Sequence, residues 1–201
     1  MFANTGRLNN DGETIKLEDA LNSTIKEFTY NDVLPWPTAD DAGYSLVLID
    51  PISNPDPDIA TNWRSSTLPG GNPDATDVVT FPANPLGDDD GNGTPDLVDY
   101  ALGSDLGLPA LAPAASFETY DFGGGMQTLL SLSYPISLGA EGASIGIDAS
   151  PDLSTWTDAA PNTEFVSQIN LGDGRAMVTV RFASPIGDGV RHYLRLRVET
   201  L

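Results

Sequence analysis

The sequence predicts an all-β chain in which two β-sandwich modules are joined by an acidic loop and one short helix. Helical periodicity is scarce along the 201 residues, and Gly, Pro, Asn and Asp recur every several residues, which is typical of short strands joined by turns. Towards the C-terminus, apolar and polar residues alternate with the two-residue period of a sheet that buries one face. An Asp-rich stretch at 88–100 separates the two strand-like regions.

Composition limits the kinds of partner. The formal charge is −20, with 29 acidic against 9 basic residues, so nucleic acid and anionic membrane surfaces are poor partners. There is no cysteine, which excludes disulfides and thiolate metal sites. A bound cation is therefore expected to stabilise the fold in place of a disulfide. No apolar run has the length of a transmembrane helix. The first residues lack the profile of a signal peptide, so we expect a signal upstream if the protein is secreted.

Residues 1–80 form the first predicted module. Its strand candidates are Thr14–Leu17, Thr24–Tyr30 and Tyr44–Ile49. Between the last two, Pro35 and Pro37 each lack the N–H that an interior strand would need, so this segment is predicted to lie outside the sheet.

The order of short motifs in this module resembles the second half of bacterial lamin-tail domains. The motifs are Leu8–Glu13, Phe28–Tyr30, Trp36-Pro37, Gly43–Leu46, Asn62-Trp63 and Pro69-Gly70. The resemblance covers about residues 4–73 and implies an immunoglobulin-like β-sandwich that serves in attachment or assembly beside catalytic modules. The opening strands of that family are missing here. We therefore expect a partial domain with an exposed sheet edge.

The Asp-rich stretch matches a calcium loop of the EF-hand type. Such a loop places oxygen ligands at alternate positions, closes with a carboxylate at the twelfth, and has Gly at the sixth for the sharp turn. Counted from Asp88, the sixth position is Gly93, and the predicted ligands are Asp88, Asp90, Asn92, Thr94 through its carbonyl, Asp96 and Asp99. Many flexible oxygen ligands favour Ca²⁺ over Mg²⁺. The alternative is a solvated acidic turn.

Two positions depart from the usual loop. The closing carboxylate, Asp99, is one methylene shorter than Glu, so the following helix must approach more closely. Pro95 stands where paired loops carry an apolar residue with an N–H for a partner loop, so this loop is predicted to be unpaired. Pro95 also suits the first position of a helix with Thr94 as its N-cap. Gly103 is predicted to end that helix, with a buried stripe of Leu97, Val98, Ala101 and Leu102.

The loop resembles those of dockerins and of Asp-rich C-terminal segments of secreted bacterial proteins. Dockerins carry two such repeats, and only one is found here. Residues 81–115 are interpreted as a connector made of the calcium loop, the helix and a semi-stiff Pro/Ala-rich linker at 106–115.

Residues 116–201 predict the second β-sandwich. Strands are expected at 128–134, 143–149, 164–170, 175–182 and 193–198. Ile147–Trp156, with its S-x-D-L-x-x-W turn, and Arg191–Leu196 resemble the turn and closing strand of C-terminal β modules of secreted bacterial multidomain proteins. In those proteins the module follows an Asp-rich loop ending in Tyr-Ala-Leu-Gly, as Tyr100–Gly103 does here.

Five basic residues fall on outward positions of two strands that we expect to be neighbours: Arg175, Arg181, Arg191, Arg195 and Arg197. One interpretation is ordinary cross-strand ion pairing with acids of the same module. The other is a basic face that docks an acidic segment or an anionic partner.

Catalytic signals are weak. The single histidine, His192, lies in a strand between Arg191 and Tyr193, and no cysteine nucleophile exists. The run Gly123–Gly125 lacks the Lys and Ser of a phosphate-binding loop. Zinc is not expected without Cys or further His. We expect no enzymatic activity within this chain.

These observations predict a non-catalytic, calcium-binding structural, adhesion or interaction region at the C-terminal end of a secreted or cell-surface multidomain protein. The expected partners are other modules of the same polypeptide and a surface protein or polysaccharide, and the chain is expected to be monomeric. The alternative is a carbohydrate-binding module of a secreted enzyme, using Trp36, Trp63 or Trp156 as sugar platforms. Core packing is the competing explanation for these rings.

Overall fold

The computed structural model describes residues 8–39, 43–104, 108, 110–121, 124–184 and 193–201. This part of the chain is mostly β, with eleven strands and one α-helix, which confirms the all-β class. The chain divides into two compact units, Met1–Asp77 and Val78–Leu201. Among the described residues, no helix is long and apolar enough to cross a membrane.

The first unit contains two two-stranded antiparallel sheets. One is a hairpin of β1 (Glu13–Glu18) and β2 (Thr24–Tyr30), close to the predicted bounds. The other pairs β3 (Leu46–Leu48) with β4 (Trp63–Ser65), so the predicted strand at 44–49 is reduced to its centre. Two short 3₁₀ helices, Pro51–Ser53 and Ala60–Asn62, lie between β3 and β4.

Aromatic packing joins the elements of this unit. Phe28 of β2 stacks on Trp63 of β4, with ring centroids 5.6 Å apart and planes at 28°. Trp36, in the Pro-rich segment, lies 6.3 Å from Trp63 and is 9% exposed. The Trp63 indole N–H donates to the Pro57 carbonyl at 2.9 Å, which satisfies its one polar atom. Trp36 is therefore a core residue, as the packing interpretation predicts.

The second unit contains two antiparallel sheets. The four-stranded sheet has the order β5–β6–β10–β9, and the three-stranded sheet has the order β11–β7–β8. In chain order, the strands are β5 (Ala114–Asp121), β6 (Met126–Ser137), β7 (Ala143–Ser150), β8 (Thr157–Asp158), β9 (Thr163–Asn170), β10 (Arg175–Phe182) and β11 (Tyr193–Thr200). A 3₁₀ helix, Ala160–Asn162, precedes β9.

Apolar side chains of this unit form a core cluster. It combines Leu132 of β6 and Val178 and Val180 of β10 with Ile147 of β7, and Leu194 of β11 packs against it. Since these residues come from both sheets, the two sheets share this core. The alternation in β10 is thus a true one-sided burial pattern, as predicted from its period of two.

The structure does not support the interpretation of these arginines as one basic face. Strands β10 and β11 belong to different sheets, so their arginines are not neighbours on one surface. Arg175 is buried, at 4% exposure, and its guanidinium lies 2.7 Å from the carboxylate of Asp173. Arg191 lies outside the described residues.

The other described arginines of this set are paired with acids of the same unit. Arg181 bonds to Glu164 at 2.9 Å, while Arg195 and Arg197 share Asp148 at 2.8 and 3.1 Å. These contacts agree with the cross-strand ion-pair interpretation and leave no common basic surface among the described residues.

Candidate metal centre

The helix that closes the acidic loop, α1, spans Asp96–Leu102 and begins one residue later than predicted. Pro95, with φ −62° and extended backbone, precedes it as the cap residue, and no side chain caps the first turn. Thr94 is therefore not the N-cap. The helix ends as predicted at Gly103, which has φ +76° and donates its N–H to the Asp99 carbonyl.

Helix α1 is anchored on the second unit through Tyr100. This residue is 1% exposed, and its hydroxyl oxygen accepts the Gly142 N–H at 3.0 Å. Its ring meets Phe81 edge-on at 5.3 Å. The helix contacts β6, β7 and β11, so the segment predicted as a connector packs within this unit.

The glycine at the end of α1 lies under a buried arginine. A Cβ on Gly103 would lie 2.7 Å from Cγ and 2.8 Å from Cδ of Arg175. The Tyr-Ala-Leu-Gly segment thus has a structural explanation: a hydrogen-bonded anchor, two buried apolar residues and a left-handed glycine at a close contact. At the other end of the linker, Ala114 and Ala115 already belong to β5.

Short-range hydrogen bonds fold the first half of the acidic loop. The carboxylate of Asp88 accepts the Gly93 N–H at 3.0 Å, and that of Asp90 accepts the Asn92 N–H at the same distance. The Asn92 side-chain oxygen accepts the Thr94 N–H at 2.6 Å. Gly93 has φ +89°, a value that L side chains rarely adopt, which explains glycine at the sixth position.

Three of the predicted ligands converge on one point. The Asn92 Nδ2 donates to Asp90 Oδ2 at 2.9 Å and to Asp99 Oδ2 at 3.1 Å. Asp90 comes from the exposed turn, whereas Asp99 comes from the anchored helix. The amide group therefore bridges these two carboxylates.

Asp96 has a different environment from the one predicted. It is 6% exposed, and its Oδ1 accepts the backbone N–H of Asp89 at 2.9 Å. Its Oδ2 is buried and has no hydrogen-bond partner in the described part of the chain. A Cβ on Gly87 would lie 2.8 Å from this oxygen. Asp96 thus ties the loop backbone to the helix, and none of its described contacts joins it to Asp90 and Asp99.

The electrostatics of the loop favour a cation. Burial raises the pKa of Asp99, and the neighbouring charges of Asp90 and Asp88 raise it further, against hydrogen bonds from Asn92 and Ser104 that lower it. The ionised carboxylate is therefore disfavoured in this environment. A divalent ion would reverse the balance, because its charge offsets the repulsion among the acids.

The acidic loop does not present a ready-made shell of carboxylates to a cation. Within the residues that the structure describes, no group of three or more His, Cys, Asp or Glu side chains is arranged to hold a metal ion. For a cation to bind, the Asn92 amide must leave the bridge and present its oxygen. Thr94 takes part in the turn through its N–H, and a ligand role for its carbonyl stays a prediction. Ca²⁺ itself stays a prediction too.

The first unit also contains a cavity of about 340 Å³, which no motif in the sequence indicates. Phe28, Tyr44 and Trp63 are among its lining residues. The flat sugar platform is not seen, because Trp36 and Trp63 are tilted by 40°, and Trp156 lies 4.4 Å beneath the Arg195 guanidinium. Local sequence patterns do not show that Tyr44 lines a cavity, because residues from distant parts of the chain form the walls. His192 lies outside the described residues.

Comparison with known proteins found no matching family model, no matching curated protein and no matching solved structure.

Proposed function

We propose that this chain is a non-catalytic calcium-binding region in which a Ca²⁺ ion held by residues 88–99 fixes the acidic loop and helix α1. The observation that carries the proposal is the bridge from Asp90 through the Asn92 amide to Asp99. It draws an exposed acidic turn against a buried carboxylate on an anchored helix. Ca²⁺ takes six to eight oxygen ligands in a flexible shell, which carboxylates, an amide oxygen and water can supply.

The two halves of the loop would have different roles in binding. Asp99 is positioned in advance, because Tyr100 beside it is hydrogen-bonded to Gly142. Asp88 and Asp90 lie in an exposed turn held by local hydrogen bonds. The ion would therefore fasten the exposed half to the anchored half. Its expected effect is resistance to local opening and proteolysis.

The wider role rests on the sequence resemblances. An immunoglobulin-like, partial lamin-tail module followed by a C-terminal β module suits attachment or assembly in a secreted or cell-surface multidomain protein. The proposed partners are other modules of the same polypeptide and a surface protein or polysaccharide, with the chain itself monomeric. Calcium would stabilise the second unit for that role.

Calorimetric titration with Ca²⁺ tests the proposal through a matched pair of variants. Asp90→Asn replaces a predicted carboxylate ligand with a neutral amide, whereas Asp89→Asn removes the same charge from an exposed neighbour whose side chain occupies a non-ligand position. We expect one site, weakened about tenfold or more by Asp90→Asn, which corresponds to about 1.4 kcal/mol. Asp89→Asn should change the affinity far less. Equal effects of the two variants would mean that only the overall negative charge attracts the ion.

A further inference from the structure

The cavity in the first unit has the character of a small-molecule site. Both two-stranded sheets contribute walls: Ile15 and Phe28 from the hairpin, and Leu46 and Trp63 from the β3–β4 pair. Its volume of about 340 Å³ is at the lower end of the range for ligand pockets, which are mostly apolar and aromatic with a few polar groups. A small organic ring would fit this space.

One lining residue carries an unpaired buried hydroxyl. Tyr44 is 8% exposed, and its Oη is buried without a hydrogen-bond partner in the part of the chain that the structure describes. Buried hydroxyls are nearly always paired, and an unpaired one lowers stability. A ligand would supply the missing partner once a small shift of the Tyr44 ring exposes this hydroxyl to the cavity.

Further polar groups around the cavity also have unused hydrogen-bonding capacity. The Asn31 Oδ1 accepts the N–H groups of Asp32 and Val33, both at 2.9 Å, which leaves its Nδ2 to donate. Neither the Asp32 carboxylate nor the Ser45 hydroxyl makes a side-chain hydrogen bond within the described residues. The cavity therefore combines donors and an acceptor with aromatic walls.

Charge narrows the class of ligand. None of the described residues lining the cavity is Lys or Arg, and the whole chain has a formal charge of −20. Phosphorylated or sulfated ligands would be repelled. An organic cation would suit aromatic rings beside Asp32, but it would leave the donors of Asn31 and Tyr44 unused. A neutral ring with apolar faces and hydroxyl groups at its edge uses every one of these features.

We propose that this cavity binds a neutral saccharide through a single sugar residue. Phe28 and Trp63 would contact the apolar face of the ring, while Tyr44, Asn31 and Asp32 would hydrogen-bond to its hydroxyl groups. This differs from a flat Trp platform, because the sugar would enter a concavity between two sheets. It is independent of the calcium proposal, which concerns the second unit.

The test is calorimetric titration of the whole chain with neutral oligosaccharides: cellotriose, xylotriose, mannotriose and the trimer of N-acetylglucosamine. Choline is titrated in parallel as the organic cation. We expect saturable binding of at least one saccharide in the micromolar to millimolar range, with a shift of the Trp63 indole N–H signal in NMR spectra. Addition of a chelator should not change saccharide binding, because the cavity does not depend on calcium.

Hydroxyl removal provides the specific control. Tyr44→Phe should weaken saccharide binding about tenfold, whereas Tyr193→Phe, the same change in the second unit, should leave it unaltered. Asp32→Asn gives an independent variant if Tyr44→Phe does not fold, and it too should weaken binding. The proposal is overturned by the absence of saturable binding to every saccharide, by preferential binding of choline, or by unchanged affinity in both cavity variants.

Discussion

Replacing Gly103 by alanine tests how helix α1 is held on the second unit. At φ +76°, an L residue costs about 1–2 kcal/mol more than glycine. In addition, the new Cβ would lie 2.7 Å from Cγ of Arg175, whose buried guanidinium is paired with Asp173. Forcing an extra methyl group into a packed site typically costs a further ~1–3 kcal/mol. The expected total loss in free energy of unfolding is about 2–5 kcal/mol.

The matched control is Gly91→Ala. Gly91 has a similar φ of +72°, but nothing lies within 4 Å of its added Cβ, so only the backbone strain applies. Thermal unfolding followed by circular dichroism, in chelator, should show Gly103→Ala lowering the Tm by roughly 10 °C. Gly91→Ala should lower it by clearly less. Equal Tm losses would refute the claim that contact with Arg175 fixes the helix end.

Three further predictions concern single side chains. Tyr100→Phe leaves the Gly142 N–H without its partner, so calorimetry should show a loss of about 1–3 kcal/mol in unfolding free energy. Asp99→Asn should have opposite effects in denaturant titrations: it stabilises the protein in chelator, by removing a buried, repelled carboxylate, and destabilises it in saturating Ca²⁺. Loss of stability under both conditions would contradict the proposed ligand role. The Asp152 carboxylate accepts hydrogen bonds from the N–H groups of Thr155 and Ser154, which lower its pKa to about 2. Its contribution to the free energy of unfolding is therefore present above pH 4 and is lost as the pH falls from about 4 to 2. The Asp152→Asn variant should therefore be less stable than wild type at pH 7 and should lose less stability on acidification. Parallel acid-unfolding curves for the two proteins would contradict this prediction.

Local patterns were sufficient to predict most strands of the second unit. In β10, the period of two identifies Val178 and Val180 as core residues, because alternate side chains of a strand point to the same face of the sheet. The left-handed conformation of Gly103 could also be predicted, since few other residues end a helix in this way.

Pairing between distant strands could not be predicted from the same patterns. Nothing in the spacing of Arg181 and Arg195 shows that β10 and β11 lie in different sheets, so the sequence left two interpretations open and the basic face was the wrong one. Each arginine instead bonds to an acid on an adjacent strand. Sheet order depends on long-range packing, which a local alternation does not encode.

In the candidate site, too, local spacing predicts some contacts and long-range packing decides the others. The sequence placed Asp90, Asn92 and Asp99 at ligand spacing, and the structure brings these three together. It placed Asp96 in the same shell, but one oxygen of Asp96 accepts a backbone N–H within the loop. Spacing along the chain predicts which residues share a turn, whereas the direction of each side chain depends on how helix α1 packs.

The measurement that tests the central claim most directly is thermal unfolding of the wild-type chain in Ca²⁺ and in chelator, with Mg²⁺ as the comparison ion. If residues 88–99 hold Ca²⁺ against helix α1, saturating Ca²⁺ should raise the Tm of the second unit. At a hundredfold excess over Kd, binding adds about 2.7 kcal/mol to the free energy of unfolding. Mg²⁺ should raise it much less. An identical Tm in Ca²⁺ and chelator would show that the acidic loop is a solvated turn.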